Sequence, residues 1–201
     1  MEAVMDKSYT ALISFIAAMV IFCISPESLS ANSLFEKSLG MPIIEGKEAA
    51  GIKLGESETR VIGLMGGLPL HIEDYGEPEK TFNYGNMTDE GGVGINIFIK
   101  NGVVIGIEII SRPLLSRGHL YRGKTKKGFS FGDSIDKMNA LYGKAYKIFA
   151  NKIFWYKKEG IIFEYLGWDN TTADKIIPNA IVIIAPDSDI IPHLRKRGGY
   201  E

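Results

Sequence analysis

The sequence predicts an α+β fold built as two tandem repeats, each a short helix followed by a three- to four-stranded antiparallel β-meander. Three observations carry that expectation. The stretch from Gly51, GIKLGESETRVIGLMG, returns from Gly128 as GFSFGDSIDKMNALYG, an offset of 77 residues. Both copies hold a serine where a helix would start and a glycine where it would end. Alternating apolar runs then follow each helical stretch. Self-similarity at a fixed spacing means one supersecondary unit used twice.

The helices follow from their punctuation. In the first copy Ser57 can cap a helix by accepting a hydrogen bond from a free first-turn N–H. Val61, Leu64 and Met65 fall at i, i+3 and i+4, a one-sided apolar stripe. Gly66 is placed to close the helix in the left-handed conformation. Ser134, Met138, Leu141, Tyr142 and Gly143 repeat the scheme. Helices this short need a sheet to pack on.

Strands follow each helix. In the first copy Thr81 to Tyr84 begins the meander, and Val93 to Ile99 and Val103 to Ile110 continue it. A three-residue loop at Lys100-Asn101-Gly102 pairs Ile99 with Val103, Ile97 with Ile105 and Ile95 with Ile107. That register keeps the apolar residues on one side, whereas a one-residue slip reverses the sides. In the second copy a loop at Lys158-Glu159-Gly160 pairs Trp155 with Phe163 and Ile153 with Tyr165, and Ala180 to Ala185 closes the unit. The core is then expected to hold Trp155, Phe163 and Tyr165. The face away from the helices is expected to carry Asn96, Phe98, Val104 and Glu108, with Phe154, Tyr156, Ile162 and Glu164 in the second copy. Aromatics among polar residues on a sheet face suit protein recognition, because they offer large rigid contact area.

Ahead of the repeats, Ala11 to Ile24 is apolar except for Ser14, follows Lys7 and precedes Pro26. It has signal-peptide length and is short for a membrane span. The chain is expected to divide into a signal peptide at 1–31, a lead-in at 32–49, the first repeat at 50–112, a basic linker at 113–127, the second repeat at 128–186 and a tail at 187–201. The expected location is therefore periplasmic or secreted, with membrane contact only through an uncleaved leader. Cys23 is the single cysteine and lies within the leader, so the mature chain would hold no disulfide. The formal charge of −1, with charges interspersed, lacks the positive field that nucleic-acid binding needs.

The motif Gly-x-x-Leu/Phe-Gly-Asp/Glu-Ser before a helix and glycine at its end is followed by an aromatic pair, a Gly-Ile-x-Phe run and an Asn-Gly hairpin. Together these resemble the repeat of β-lactamase-inhibitor-protein-like folds and of small outer-membrane assembly lipoproteins of the BamE type, over about Gly51 to Pro186. The resemblance implies an exported α+β domain that contacts another protein and catalyses nothing. The lipid-anchoring cysteine of those lipoproteins and the inhibitor's disulfides have no counterpart here.

Enzymatic alternatives are weaker. Phe131-Gly132-Asp133-Ser134-Ile135 looks like the nucleophile block of GDSL-type serine esterases. That chemistry needs a histidine, an orienting acid and oxyanion donors around Ser134. Asp189 and His193 are spaced by four where that family uses three, no Gly-x-Asn-Asp block lies between, and Ser57 fills the same slot without such context. His71, His119 and His193 lack paired ligand spacing, so no metal or other cofactor is expected. The expected function is a non-catalytic envelope protein that binds a protein partner through the sheet face. The alternatives are a small-molecule or lipid-binding envelope domain, which requires an apolar pocket between the repeats, and the esterase.

Overall fold

The computed structural model describes residues 33–74, 79–88, 91–112, 121–149, 153–164 and 178–188. The expected leader and tail lie outside them, apart from 187–188. Helix α1 spans Glu58–Met65, and the Ser57 hydroxyl accepts from the Arg60 N–H at 3.3 Å. Helix α2 spans Ile135–Tyr142, and the Ser134 hydroxyl accepts from the Lys137 N–H, also at 3.3 Å. Val61 and Met65 are buried in α1, Met138 and Tyr142 in α2; Leu64 and Leu141 pack at the margin of the same core. Gly66 closes α1 with φ 85° and ψ 11°, the left-handed conformation expected. Gly143 differs: φ is 72° but ψ is −147°, an extended exit that a residue with a Cβ rarely adopts.

A tight turn precedes each helix. The Glu56 carboxylate accepts from the Lys53 N–H at 3.2 Å, and the Asp133 carboxylate accepts from the Ser130 N–H at 2.7 Å. Gly55 and Gly132 supply the positive φ of these turns, 83° and 91°. The motif shared by the two stretches is thus a carboxylate-closed turn leading into a serine-capped helix.

Strands β1 (Glu48–Ala49) and β2 (Ile52–Lys53) form a small hairpin. The main sheet is antiparallel. It contains β3 (His71–Asp74), β4 (Glu79–Thr88), β5 (Gly91–Lys100), β6 (Val103–Arg112), β7 (Lys147–Phe149), β8 (Ile153–Tyr156), β9 (Ile161–Glu164) and β10 (Ala180–Ile184). Its order is β3-β4-β5-β6-β10-β9-β8-β7. The architecture is therefore α+β with an antiparallel sheet. α1 and α2 each precede four strands, the final strands β6 and β10 pair at the centre, and among the described residues β3 and β7 form the two edges. Both edge strands lie outside the strands expected from sequence. They are short and include charged residues, so apolar alternation is a poor guide to them.

Two registers differ from expectation. The β5–β6 turn has two residues, with Lys100 opposite Val103 and Ile99 opposite Val104; Asn101 (φ 51°) and Gly102 (φ 74°) take the left-handed turn positions. A bulge between Phe98 and Ile99 then absorbs Ile105, so Ile97 faces Ile107 and Ile95 faces Ile109. The extra residue restores the apolar pairing that an uninterrupted two-residue hairpin would have mixed. It also turns Val104 toward the helices and Ile105 away from them. In β8–β9 the turn occupies residues 157–160, pairing Tyr156 with Ile161, Trp155 with Ile162 and Phe154 with Phe163. This one-residue slip exchanges the expected faces of β8.

The core between helices and sheet includes Ile95, Ile97, Ile107, Ile109, Phe163, Ile181 and Ile183. Each large apolar side chain so buried contributes about 1.5–3 kcal/mol. The lead-in, expected as an unplaced segment, packs on the same side. Residues 33–38 are helical, and Leu39 and Ile43 are buried. Residues 121–127, expected as part of a solvated basic linker, are held against it. Ile43 bridges Thr125 in parallel, the Arg122 N–H donates to Leu39 O, and Tyr121 and Thr125 are buried. The Tyr142 hydroxyl donates to Glu45 Oε1 at 2.6 Å and lies 2.7 Å from Thr125 Oγ1, joining α2, the lead-in and this run. Lys127 and Lys124 remain near the surface while the backbone beneath them is occupied.

Candidate functional site

Strand alternation divides the eight face residues expected from sequence into two groups. Val104, Phe154 and Tyr156 belong to the helix-side core. The Tyr156 hydroxyl lies 3.4 Å from both Asn139 Oδ1 and Gly143 O, against the end of α2. These three are corrections to the sequence expectation, and their cause is the bulge at Ile105 and the four-residue turn at 157–160. Asn96, Phe98, Glu108, Ile162 and Glu164 do share the face away from the helices, which we term the open face.

Five residues of the open face were not foreseen there: Phe149, Ile153, Trp155, Val182 and Ile184. The signal available was Asn101-Gly102, whose dipeptide favours a two-residue turn; for β8 no comparable signal exists. Phe98, Phe149, Ile153, Trp155, Ile162, Val182 and Ile184 form a second apolar cluster, with Ile105 at its margin. The face is therefore closed to solvent over much of its extent: Phe98 is 7% exposed, Ile162 1% and Val182 0%. Among the described residues, both helices and the β1–β2 hairpin contribute their buried side chains to the other side.

Polar groups punctuate the cluster. Along one row across the strands, Asn96 opposes Glu108, Glu108 opposes Val182, Val182 opposes Ile162 and Ile162 opposes Trp155. The Asn96 amide donates to Glu108 Oε2 at 2.6 Å. Glu164 lies in the neighbouring row, opposite Ile153 and Ala180. Burial, reinforced by the negative charge of Glu108, pushes its carboxyl up to about 8, so it is protonated at neutral pH. The Trp155 ring stacks on Phe149 at 6.4 Å and meets Tyr146 edge-on at 5.1 Å, with Lys157 Nζ 5.4 Å from its centroid. Its Nε1 is buried and lacks a hydrogen-bond partner among the described residues. An indole N–H without an acceptor costs free energy that an incoming carbonyl or carboxylate would recover. The face thus combines apolar area with two buried polar groups, an acid and an indole.

The serine of the esterase-like block is occupied otherwise. Ser134 Oγ accepts the α2 cap bond, while Asp133 accepts from Ser130 N and pairs with Lys137 Nζ at 2.7 Å. His119, His193 and Asp189 lie outside the described residues. Among the described residues no group of three or more His, Cys, Asp or Glu could hold a metal ion, and no helix is long and apolar enough to cross a membrane.

No family model and no curated protein matches the chain. Among solved structures, it is similar at a TM-score of 0.34 and 9% identity to a cysteine-rich secretory protein of Staphylococcus aureus, covering 75% of this chain and 48% of that one. The chain thus spans about half the length of that protein, and a likeness at this level identifies neither fold family nor activity.

Proposed function

We propose that this chain is an exported, non-catalytic binding protein of the cell envelope. It is built from two copies of one helix-plus-meander module, and it engages a protein partner through the open face. The duplicated module is supported by paired geometry at the 77-residue offset. The Lys53–Glu56 and Ser130–Asp133 turns, and the Ser57 and Ser134 caps, make the same bonds with matched residues. This is the arrangement that the resemblance to β-lactamase-inhibitor-like and BamE-type repeats implies. The same pairing supports a non-catalytic reading, because both motif serines serve as caps.

The observation that carries the binding site is the buried indole N–H of Trp155 with no acceptor among the described residues. It sits in an aromatic cluster beside Ile162 and the neutral Glu164, a combination suited to a backbone carbonyl of a partner. The test is capture from envelope extract with wild-type chain and Trp155→Phe, which keeps the ring and removes the donor. Loss of a wild-type partner in the variant supports the site; identical partners count against it. Labelling with a serine-reactive phosphonate, compared with Ser134→Ala, tests the enzymatic alternative, and labelling that depends on Ser134 would overturn the non-catalytic reading. The lipid-binding alternative is favoured by the same neutral acid within an apolar cluster, and would appear as bound lipid in extracts of purified wild-type chain.

A further inference from the structure

The two edges of the sheet carry apolar side chains in water. On the β3 side Leu68 is 77% exposed, Leu70 75% and Ile72 50%; on the β7 side Tyr146 is 65% and Ile148 49%. Exposed apolar edges template pairing with another chain, and charged side chains on an edge are one device that discourages it; like charges on both edges would do so most simply. Here the charges are opposite. Residues 68–74 contain Glu73 and Asp74 with no lysine or arginine, and residues 144–149 contain Lys144 and Lys147 with no acid.

The two edges also have matching backbones. Leu70 N donates to Asn83 O at 2.9 Å although His71 is the residue in register with Asn83, so Leu70 and His71 together oppose one residue. Tyr146 N donates to Trp155 O at 2.8 Å although Lys147 is in register with Trp155, the same two-against-one arrangement. Ile72 opposes Phe82 and Ile148 opposes Phe154, both on the helix side.

We propose that β7 of one copy pairs with β3 of the next, joining copies of this chain head to tail into a continuous sheet. Strand direction permits it. An antiparallel sheet with an even number of strands has edges running in opposite directions, so simple repetition of the molecule sets β7 antiparallel to the next β3. Both helix layers stay on one side. In the register that places Ile148 opposite Ile72 of the next copy, Lys147 falls opposite Glu73. The exposed isoleucines leave water together and the opposite charges meet. Pairing β3 with β3, or β7 with β7, would bring like-charged edges together. A heterologous contact of this kind does not stop at two copies unless its rotation closes a ring. The inference is independent of the open-face reading, and Trp155→Phe is expected to leave it unchanged.

Sedimentation velocity on the full chain over a wide range of concentration, at low and high salt, tests it. The expected result is mass rising past dimer with concentration and falling with salt, because the proposed attraction between the edges is partly ionic. Glu73→Lys and Lys147→Glu are each expected to raise the concentration of half-association about tenfold. An equimolar mixture of the two variants is expected to recover association, since each supplies the edge complementary to the other. Ile148→Ser weakens association without changing charge, and unchanged circular dichroism melts establish that these surface variants are folded. A wild-type chain that stays monomeric or stops at dimer overturns the proposal. So does a Lys147→Glu variant that associates like wild type, or a mixture that fails to recover.

Discussion

The hydroxyl of Tyr121 donates to Met41 O at 2.8 Å and accepts from the Ala50 N–H at 3.2 Å, contacts that span 80 and 71 residues. Ala50 has φ 55°, a left-handed backbone at a residue with a Cβ. The phenol therefore holds a strained turn of the lead-in against the run that precedes the second helix. Burial pushes the Tyr121 hydroxyl well above its ordinary range, so it remains a neutral donor. Tyr121→Phe leaves a partly buried carbonyl and a buried N–H without this partner. Chemical denaturation is expected to show a loss of about 1–3 kcal/mol, with unchanged binding at the distant open face.

The two serine caps make a paired prediction. Ser57→Ala and Ser134→Ala each remove one acceptor from a first-turn N–H, and each is expected to cost about 1 kcal/mol. Equal costs in urea titrations fit the cap role for both. A Ser134→Ala cost near zero beside a normal Ser57→Ala cost would show that the second serine is held for another purpose.

The open face predicts a pH dependence. The Glu164 carboxyl is raised from the ordinary carboxylate value of 4.5 to about 8 in the folded chain, first by burial and then by Glu108. Between those values the folded state binds the proton that the unfolded state has lost. Stability should therefore fall as pH rises through this window, by up to about 1.4 kcal/mol per pH unit. Below it the penalty is absent. Glu164→Gln, which keeps the shape and removes the titration, is expected to flatten the profile in thermal melts. A wild-type profile already flat from about pH 5 to 8 would contradict the assignment.

Close approach at the centre of the sheet gives a further prediction. A Cβ built on Gly106 would stand 2.9 Å from Phe98 Cδ2. The Phe98 ring lies over the glycine in the strand register, so Gly106→Ala is expected to cost about 1–3 kcal/mol through overpacking. Phe98→Ala combined with Gly106→Ala should cost less than the sum of the two, because the clash needs both residues.

The amino-acid sequence by itself determined the local structures. Ser57 and Ser134 carry their own acceptors, Gly55 and Gly132 their own freedom at positive φ, and the stripes Val61–Met65 and Met138–Tyr142 their own buried sides. Such features depend on residues a few positions apart. The inner strands and their antiparallel sense were legible for the same reason, in the alternating isoleucines of β5 and β6, whereas the short edge strands β3 and β7 were not. Which face each residue occupies was decided only by tertiary structure. The side-chain period of a strand is two, so one extra residue at Ile105, or one more in the turn at 157–160, sends Val104, Phe154 and Tyr156 to the helices and Trp155 to the open face. The candidate site was legible in Phe98, Ile162, Glu164 and the Asn96–Glu108 pair, and hidden in Trp155. Long-range closure was equally beyond local pattern. Residues 121–127 read as a solvated linker because of their lysines, and only the buried backbone and phenol of Tyr121 show what they hold together.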